Sequence, residues 1–189
     1  TTCCAQAWSD RTGEKTMKDI LQKAAQVKLL IFDVDGVLTD GSLFLGDDGQ
    51  EYKAFHSQDG HGIKMLQKHG VRCAIITGRT SKVVEHRMRN LGIELIYQGQ
   101  ENKLEGFADL LERAELTPEQ VAYVGDDVVD LPVMRKVGLA IAVQDAHPWV
   151  LQHAHWQTPR GGGRGEARDV CELLLEAHGV LRQELETYL

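Results

Sequence analysis

Two acidic residues, Asp33 and Asp35, come directly after a short apolar run at positions 29–32. A continuous apolar run of this length between polar residues predicts a strand buried on both faces. Side chains at positions i and i+2 of an extended segment share a face, so both carboxylates can point into one site. Carboxylates at the end of a buried strand are costly unless metal, water or hydrogen bonds solvate them. Acid pairs are also common in ordinary turns, so the interpretation depends on the rest of the chain.

Polar residues also follow three later strand-like runs, at positions 74–76, 94–98 and 121–124. These residues are, in chain order, Thr77, Lys103, Asp126, Asp127 and Asp130. Because ligands of parallel sheets bind beyond the carboxyl ends of the strands, we expect all of them to converge at one edge. Several carboxylates that face one another need a counter-charge, and a hard, oxygen-ligated cation such as Mg²⁺ suits them best. Each residue alone could be a helix cap, a surface lysine or part of a turn, but together they favour a functional site.

The elements that must position these side chains alternate between strand-like and helix-like patterns. The turn signal at positions 46–49 predicts a β-hairpin over residues 42–55. Thr16 with Asp19 predicts a capped helix start. The alternation as a whole predicts an α/β fold, in which a doubly wound parallel sheet carries helices on both faces.

The chain of 189 residues has the length of one domain. We expect that domain to span residues 16–178. Residues 1–15 show no sustained hydrophobic period and are predicted to be a loose N-terminal tail. Residues 179–189 are predicted either to extend the last helix or to fray.

Composition excludes several classes of protein. A formal net charge of −7 argues against nucleic acid as the main partner. No apolar stretch approaches the length of a membrane span, and no secretory signal pattern is present. Cys73 and Cys171 fall in apolar segments and are predicted to be buried free thiols, which favours a cytoplasmic location.

Four motifs in this order resemble the haloacid dehalogenase superfamily of phosphotransferases. They are Asp33-Val-Asp35, Thr77-Gly-Arg79, Lys103 and Gly125-Asp126-Asp127-x-x-Asp130. The resemblance implies a Rossmann-like fold, a Mg²⁺ cofactor and an aspartyl-phosphate intermediate. Ion-pumping relatives carry threonine two residues after the nucleophile, where this chain has Asp35, so rapid hydrolysis and hence a phosphatase are expected.

The same resemblance implies a role for each residue by position. It assigns the nucleophile to Asp33, the general acid and base to Asp35, the contact with the phosphoryl oxygens to Thr77 and the balancing of their charge to Lys103. It also implies that Mg²⁺ is held by Asp33, the backbone carbonyl of Asp35 and Asp126, with Asp127 and Asp130 as supporting residues.

The spacing of the motifs leaves no room for a cap domain. Only 42 positions separate Asp35 from Thr77 and 26 separate Thr77 from Lys103, and both intervals are filled by predicted elements of the core fold. An open site would leave a phospho-enzyme exposed to water and the enzyme poorly selective for its substrate. Either a macromolecular substrate or a neighbouring subunit must therefore close it.

Further motifs resemble the capless phosphatase family that acts on 3-deoxy-D-manno-octulosonate 8-phosphate (Kdo 8-phosphate). They are Asp33–Gly41, Lys53–Gly60, Ile76–Arg79, Tyr97–Gln100 and Gly161–Gly165. This resemblance implies hydrolysis of that ester to Kdo and phosphate, in lipopolysaccharide biosynthesis of a Gram-negative bacterium. It also implies a homotetramer built by the hairpin, in which the glycine-rich segment reaches toward a neighbour's site.

Substrate contacts are expected from cations and from residues near the hairpin. Arg79 and Arg164 could bind a substrate carboxylate through fork-like hydrogen bonds, although Arg164 could equally be a solvated loop residue. Gly78, His56 and Asp59 complete the set of predicted substrate-binding residues.

Two alternatives remain open. The same chemistry could act on another sugar acid, such as a nononate 9-phosphate. A non-enzymatic scaffold domain is disfavoured, because such a domain should lack an acid or the lysine, and this chain keeps Asp33, Asp35, Lys103 and Asp126.

Overall fold

A six-stranded parallel sheet forms the centre of the computed structural model, which describes residues 16–189. The predicted N-terminal tail, residues 1–15, lies outside the described residues. The sheet consists of β1 (Leu29–Phe32), β4 (Arg72–Ile76), β5 (Leu95–Tyr97), β6 (Val121–Gly125), β7 (Leu139–Ala142) and β8 (Trp156–Gln157). A separate antiparallel hairpin consists of β2 (Phe44–Leu45) and β3 (Glu51–Tyr52).

Helices follow most strands and cover the sheet. They are α1 (Met17–Ala24), α2 (Ser57–Lys68), α3 (Lys82–Asn90), α4 (Lys103–Ala114), α5 (Leu131–Met134), α6 (Pro148–His153), α7 (Glu166–Ala177) and α8 (Leu181–Glu186). The predicted capping box at the start of α1 is confirmed, since the Thr16 side chain accepts from the Asp19 N–H and the Asp19 side chain accepts from the Thr16 N–H. The helix α2 packs on α7, and α4 packs on α5.

The order of the sheet is β5-β4-β1-β6-β7-β8, and it reverses direction at β1. Phe32 at the end of β1 pairs with Ile75 on one side and with Val124 on the other. The chain first builds outward through β4 and β5, and then returns to place β6 on the opposite side of β1. The carboxyl ends of three neighbouring strands therefore meet at a topological switch point, where ligands of such sheets bind. The predicted α/β, Rossmann-like doubly wound sheet is confirmed.

The core is continuous through the sheet. All four residues of β1 are fully buried, as their unbroken apolar pattern predicts. Burial of each such large apolar side chain contributes about 1.5–3 kcal/mol to folding. Cys73 and Cys171 are free and buried, as expected.

The hairpin and the absence of a cap domain match the prediction. Phe44 pairs with Tyr52 and Leu45 with Glu51, and the connecting turn uses Gly49 at a φ of +78°. Between positions 35 and 77 the chain forms this hairpin, α2 and β4, and between 77 and 103 it forms α3 and β5. No inserted domain stands over the carboxyl edge from within either interval.

Two features near the C-terminus differ from expectation. The residues after Gly179 do not extend α7, because the chain turns there at a φ of +72° and begins the separate helix α8. Glu184 of α8 is buried and accepts a hydrogen bond from Lys68, which fixes this helix against α2. The edge strand β8 was not predicted, because two residues carry no measurable period.

Among the helices of residues 16–189, none combines the length and the apolar character that a membrane span requires.

Candidate active site

Asp33 lies at the centre of the switch point. Its backbone N–H continues the β1 ladder by donating to the carbonyl of Val124 at 3.0 Å, so the residue is fixed at the strand end. Its Oδ1 accepts from the N–H of Val34 at 2.7 Å, which orients the carboxylate. The residue is only 6% exposed. Gly36, at a φ of +91°, lets the backbone turn sharply behind it.

A buried lysine links two strand ends. Lys103 is the first residue of α4, and its Nζ lies 2.8 Å from Asp33 Oδ2 and 2.7 Å from Asp130 Oδ1. Burial alone would lower the pKa of this ammonium, but the charges of Asp33 and Asp130 outweigh that effect and raise it. Lys103 is therefore a fixed positive charge beside the Asp33 carboxylate.

Asp130 organises the end of β6. It is fully buried and accepts four hydrogen bonds. Oδ2 accepts from the N–H groups of Asp126 and Asp127, at 3.0 and 3.1 Å. Oδ1 accepts from Lys103 and from the Tyr123 hydroxyl, both at 2.7 Å. The predicted supporting residue thus holds the loop that carries Asp126. The Asp127 side chain, by contrast, is exposed and accepts from the Val128 N–H, so it acts as a cap.

The residues present fit a divalent cation. Carboxylate oxygens of Asp33, Asp126 and Asp130 lie within 4.8 Å of one another. Asp126 Oδ1 is buried without a hydrogen-bond partner, and a Cβ at Gly36 would overlap the Asp126 carboxylate, so the glycine keeps this space open. Burial, with the Asp130 and Asp33 charges, raises the pKa of Asp126 to about 8. A hard cation relieves this crowding. Asp33 and Asp126 are the better ligands, because four donors already engage Asp130.

Asp35 belongs to a ring of four alternating charges. Lys53, just after β3, donates to Asp35 Oδ1, and its Nζ lies 3.2 Å from Glu51 Oε1. Arg79 closes the ring, with Nη2 2.8 Å from Glu51 Oε1 and Nε 3.5 Å from Asp35 Oδ2. The predicted acid and base is therefore held by cations on both of its oxygens.

These groups surround one open cleft with a volume of about 300 Å³. Its lining includes Asp33, Asp35, Thr77, Gly78, Arg79, Gln100, Glu101, Lys103, Asp126, Asp127 and Val129. Thr77 is buried, and its backbone is fixed by bonds to Tyr97 and Gln100 across the β4 and β5 ends. The structure thus brings together the residues that the sequence predicts for catalysis and metal binding. Carboxylates, an ammonium group and a guanidinium group lie together at one edge of the sheet.

Comparison with known proteins agrees with this geometry. A family model described as haloacid dehalogenase-like hydrolase matches residues 50–138. The 3-deoxy-D-manno-octulosonate 8-phosphate phosphatase KdsC of Escherichia coli K12 is 53% identical over 163 residues, which are 86% of this chain and 87% of that protein.

The chain therefore belongs to the Kdo 8-phosphate phosphatase family.

Two solved structures extend the family comparison. The phosphatase of that name from Yersinia pestis is 50% identical with a TM-score of 0.86, over 87% of this chain and 89% of that chain. The Moraxella catarrhalis phosphatase, in complex with magnesium, phosphate and Kdo, is 38% identical with a TM-score of 0.90, over 92% of this chain and all of that chain. Members of this family are phosphoric monoester hydrolases, and this chain keeps their fold.

Three of the predicted substrate-binding residues lie outside the cleft lining. Asp59 is buried in α2, where its Oδ1 accepts from the Arg168 N–H at 2.9 Å and so caps the start of α7. His56 stands just before α2, with its Nδ1 buried and without a partner. Arg164 is exposed and pairs with Asp40 at 3.0 Å. Within a single chain none of the three lines the cleft, and their role in substrate binding stays a prediction.

Three further residues of the site were not predicted from the sequence: Lys53, Glu51 and Tyr123. Glu51 and Lys53 stand two residues apart on an extended segment, so they share a face, while Tyr52 between them is exposed. This alternation could have indicated that Glu51 and Lys53 point away from solvent. Tyr123 is one hydroxyl within an aliphatic strand, and such a residue needs a buried polar partner, here Asp130.

Proposed function

We propose that this protein is a Mg²⁺-dependent phosphatase that hydrolyses Kdo 8-phosphate to Kdo and phosphate through a phosphoryl group carried on Asp33. The observation that carries the proposal is the pairing of Asp33 with Lys103 at 2.8 Å, beside the partnerless carboxylate oxygen of Asp126. A carboxylate that can act as a weak nucleophile, a fixed cation and carboxylate oxygens that could bind a second cation lie at one edge of the sheet. This is the set that phosphoryl transfer to a carboxylate requires.

Asp33 forms the phospho-enzyme. Lys103 lies against its Oδ2 and reduces the repulsion between the carboxylate and an anionic phosphate. Asp33 and Asp126, with the backbone carbonyl of Asp35 expected as a third ligand, would hold Mg²⁺, which supplies further positive charge to the phosphoryl oxygens. Thr77, buried at the end of β4, is the expected hydroxyl donor to those oxygens.

Asp35 is the general acid and then the general base of the proposed reaction. As Asp33 binds phosphorus and the ester bond breaks, the Asp35 carboxyl gives its proton to the departing sugar oxygen. The resulting carboxylate then takes a proton from water as that water attacks the phospho-enzyme, which releases phosphate and restores Asp33. General acid–base catalysis of this kind contributes about 10²–10⁴-fold to the rate.

Sugar specificity is the finer part of the proposal. The cleft is open, and Arg79 stands on its wall with 48% of its side chain exposed, so a guanidinium is available to a substrate carboxylate. The complex of the Moraxella relative with magnesium, phosphate and Kdo supports Kdo 8-phosphate as the substrate. A nononate 9-phosphate also carries a carboxylate and a phosphate, and remains the alternative substrate.

Assembly into a homotetramer is also proposed. The hairpin exposes four large apolar side chains, namely Leu43, Phe44, Leu45 and Tyr52. Exposed apolar clusters of this kind mark interaction surfaces, and a neighbouring subunit there could help to close the capless cleft. Sedimentation should show a tetramer for the native protein and smaller species for Phe44→Ser with Leu45→Ser. A native monomer at working concentration would contradict the assembly.

The proposed setting is the cytoplasm of a Gram-negative bacterium, where the product would enter lipopolysaccharide biosynthesis. The relatives from Escherichia coli and Yersinia pestis support the pathway, and the free thiols of Cys73 and Cys171 suit a reducing compartment.

The test is phosphate release from Kdo 8-phosphate with Mg²⁺, beside a nononate 9-phosphate and neutral sugar phosphates. We expect a strong preference for Kdo 8-phosphate and a loss of about 10³-fold or more in Asp33→Asn. Asp109→Asn, on the exposed face of α4, is the matched control and should keep full activity. Preference for another ester would support the proposed chemistry but contradict Kdo 8-phosphate as the substrate. No phosphate release from any ester would refute the proposed phosphatase activity.

A further inference from the structure

Lys53 occupies an unusual position for a lysine. Its side chain is 1% exposed, although it follows a hairpin whose large apolar side chains are exposed to solvent. A buried ammonium is costly unless it is paired and hydrogen-bonded. Its partners are Asp35 and Glu51, so the lysine is neutralised by two carboxylates, one of which is the predicted acid and base.

The backbone explains how one short segment reaches the cleft. Glu51 ends the ladder opposite Leu45, and Lys53 follows two residues later on the same face. Both side chains therefore point toward the Asp35 loop, and the exposed Tyr52 points away. Glu51 also binds Arg79 at 2.8 Å, so the hairpin contacts both the acid and the cleft arginine.

Asp35 has few other restraints. Its side chain lies in the turn after β1 and is 19% exposed. Its carboxylate pairs with two cations, Lys53 on Oδ1 and Arg79 on Oδ2. The Arg79 contact is longer, at 3.5 Å, and Arg79 is itself half exposed. Lys53 is therefore the stronger constraint on where the Asp35 carboxyl group points.

We propose that Lys53 is a positioning residue for the phosphatase reaction: from the hairpin it holds the Asp35 carboxyl group in place to protonate the leaving oxygen. The proposal rests on the proposed function of the cleft. Misplacement of a catalytic group by about 1 Å can cost about 10²-fold in rate. The effect should depend on how much the leaving group needs a proton, because a weakly basic oxygen departs without one.

The experiment compares kcat/KM for three esters in Lys53→Met: the sugar phosphate, phenyl phosphate and p-nitrophenyl phosphate. The value of kcat/KM depends only on the steps up to release of the alcohol, so the later hydrolysis of the phospho-enzyme does not affect it. We expect losses of about 10- to 100-fold for the sugar and phenyl esters and less than about 2-fold for the p-nitrophenyl ester. Asp35→Asn should show the same split, and Lys53→Arg should restore most of the loss.

Lys64→Met, at an exposed site on α2, is the matched control and should leave all three constants unchanged. Equal losses on the three esters would overturn the proposal, since they indicate a structural fault. A loss confined to the sugar ester would overturn it too, because it indicates that Lys53 binds the sugar. Unchanged kcat/KM values of Lys53→Met for all three esters would also overturn the proposal. Failure of the unmutated protein to cleave any ester would instead refute the proposed function, so the two failures are distinguishable.

Discussion

Replacement of Asp130 by asparagine tests whether the buried network at the end of β6 holds the site together. The carboxylate accepts four hydrogen bonds, two from backbone N–H groups and two from Lys103 and Tyr123. An asparagine has one acceptor oxygen, so its NH₂ group must face either the two backbone donors or the pair of side-chain donors. In both orientations two bonds are lost and Lys103 loses one of its two carboxylate partners.

The expected cost follows from these contacts. Each lost bond to a charged group is worth about 1.5–3 kcal/mol, so Asp130→Asn should lower the free energy of unfolding by about 3–6 kcal/mol. Removal of one partner of a buried ion pair has a similar cost, about 3–5 kcal/mol. For a chain of this length, each 1 kcal/mol shifts the melting temperature by about 2–4 °C, so the melting temperature should fall by about 6–24 °C. Tyr123→Phe removes the 2.7 Å hydrogen bond to Asp130 and a long, weak one of 3.4 Å from Lys103, and it leaves the charges intact. The cost is set mainly by the bond to Asp130 and should be about 1.5–3 kcal/mol.

Urea and thermal denaturation of both variants, with and without Mg²⁺, measure these differences. Activity should fall further in Asp130→Asn than in Tyr123→Phe, because only the former releases the Asp126 loop. The control is Asp109→Asn on the exposed face of α4, which should change stability by less than about 0.5 kcal/mol. If Asp130→Asn were no less stable than Tyr123→Phe, the inferred role of Asp130 would be wrong.

Three further outcomes are expected. Gly36→Ala should abolish Mg²⁺-dependent activity and weaken Mg²⁺ binding measured by calorimetry, because a Cβ there is strained and overlaps the Asp126 carboxylate; unchanged binding would contradict the assignment. A hydrogen bond from Lys68 lowers the pKa of Glu184 to about 2, so its stabilising effect is present above its ordinary pKa of 4.5 and disappears as pH falls toward 2. The unfolding free energies of native protein and Glu184→Gln should therefore differ at neutral pH and converge over that window. Chelation should remove activity and Mg²⁺ should restore it, whereas persistent turnover in chelator would exclude the metal.

Much of the fold could be predicted because its signals are local and repeated. The alternation of buried strands with capped helices gave the parallel sheet, and the rule for strand ends then placed Asp33, Thr77 and Lys103 together. The structure brings these three side chains to one cleft. The shortest elements were harder to predict. The strand β8 has only two residues and shows no period, and α8 is separated from α7 by only three residues, with the turn at Gly179.

Contacts between distant segments could not be predicted by position alone. Asp59 resembled a cleft residue because it follows the hairpin, yet it caps α7 from a neighbouring helix. Lys53 was not predicted to reach the cleft, yet its ammonium is buried against Asp35. In both cases the sequence shows the residue type and its own element, while the partner comes from a segment whose approach depends on tertiary packing.

The absence of a cap domain and the burial of Lys53 both concern the segment between positions 35 and 77. No domain is inserted between positions 35 and 77, and the hairpin segment contacts Asp35, the predicted acid and base, through Lys53. Its opposite face carries exposed apolar side chains, among them Phe44 and Tyr52. A subunit that covered that face would fix the hairpin, and through Lys53 it would also fix Asp35. The hairpin thus connects the proposed subunit contact with the proposed position of the Asp35 carboxyl group.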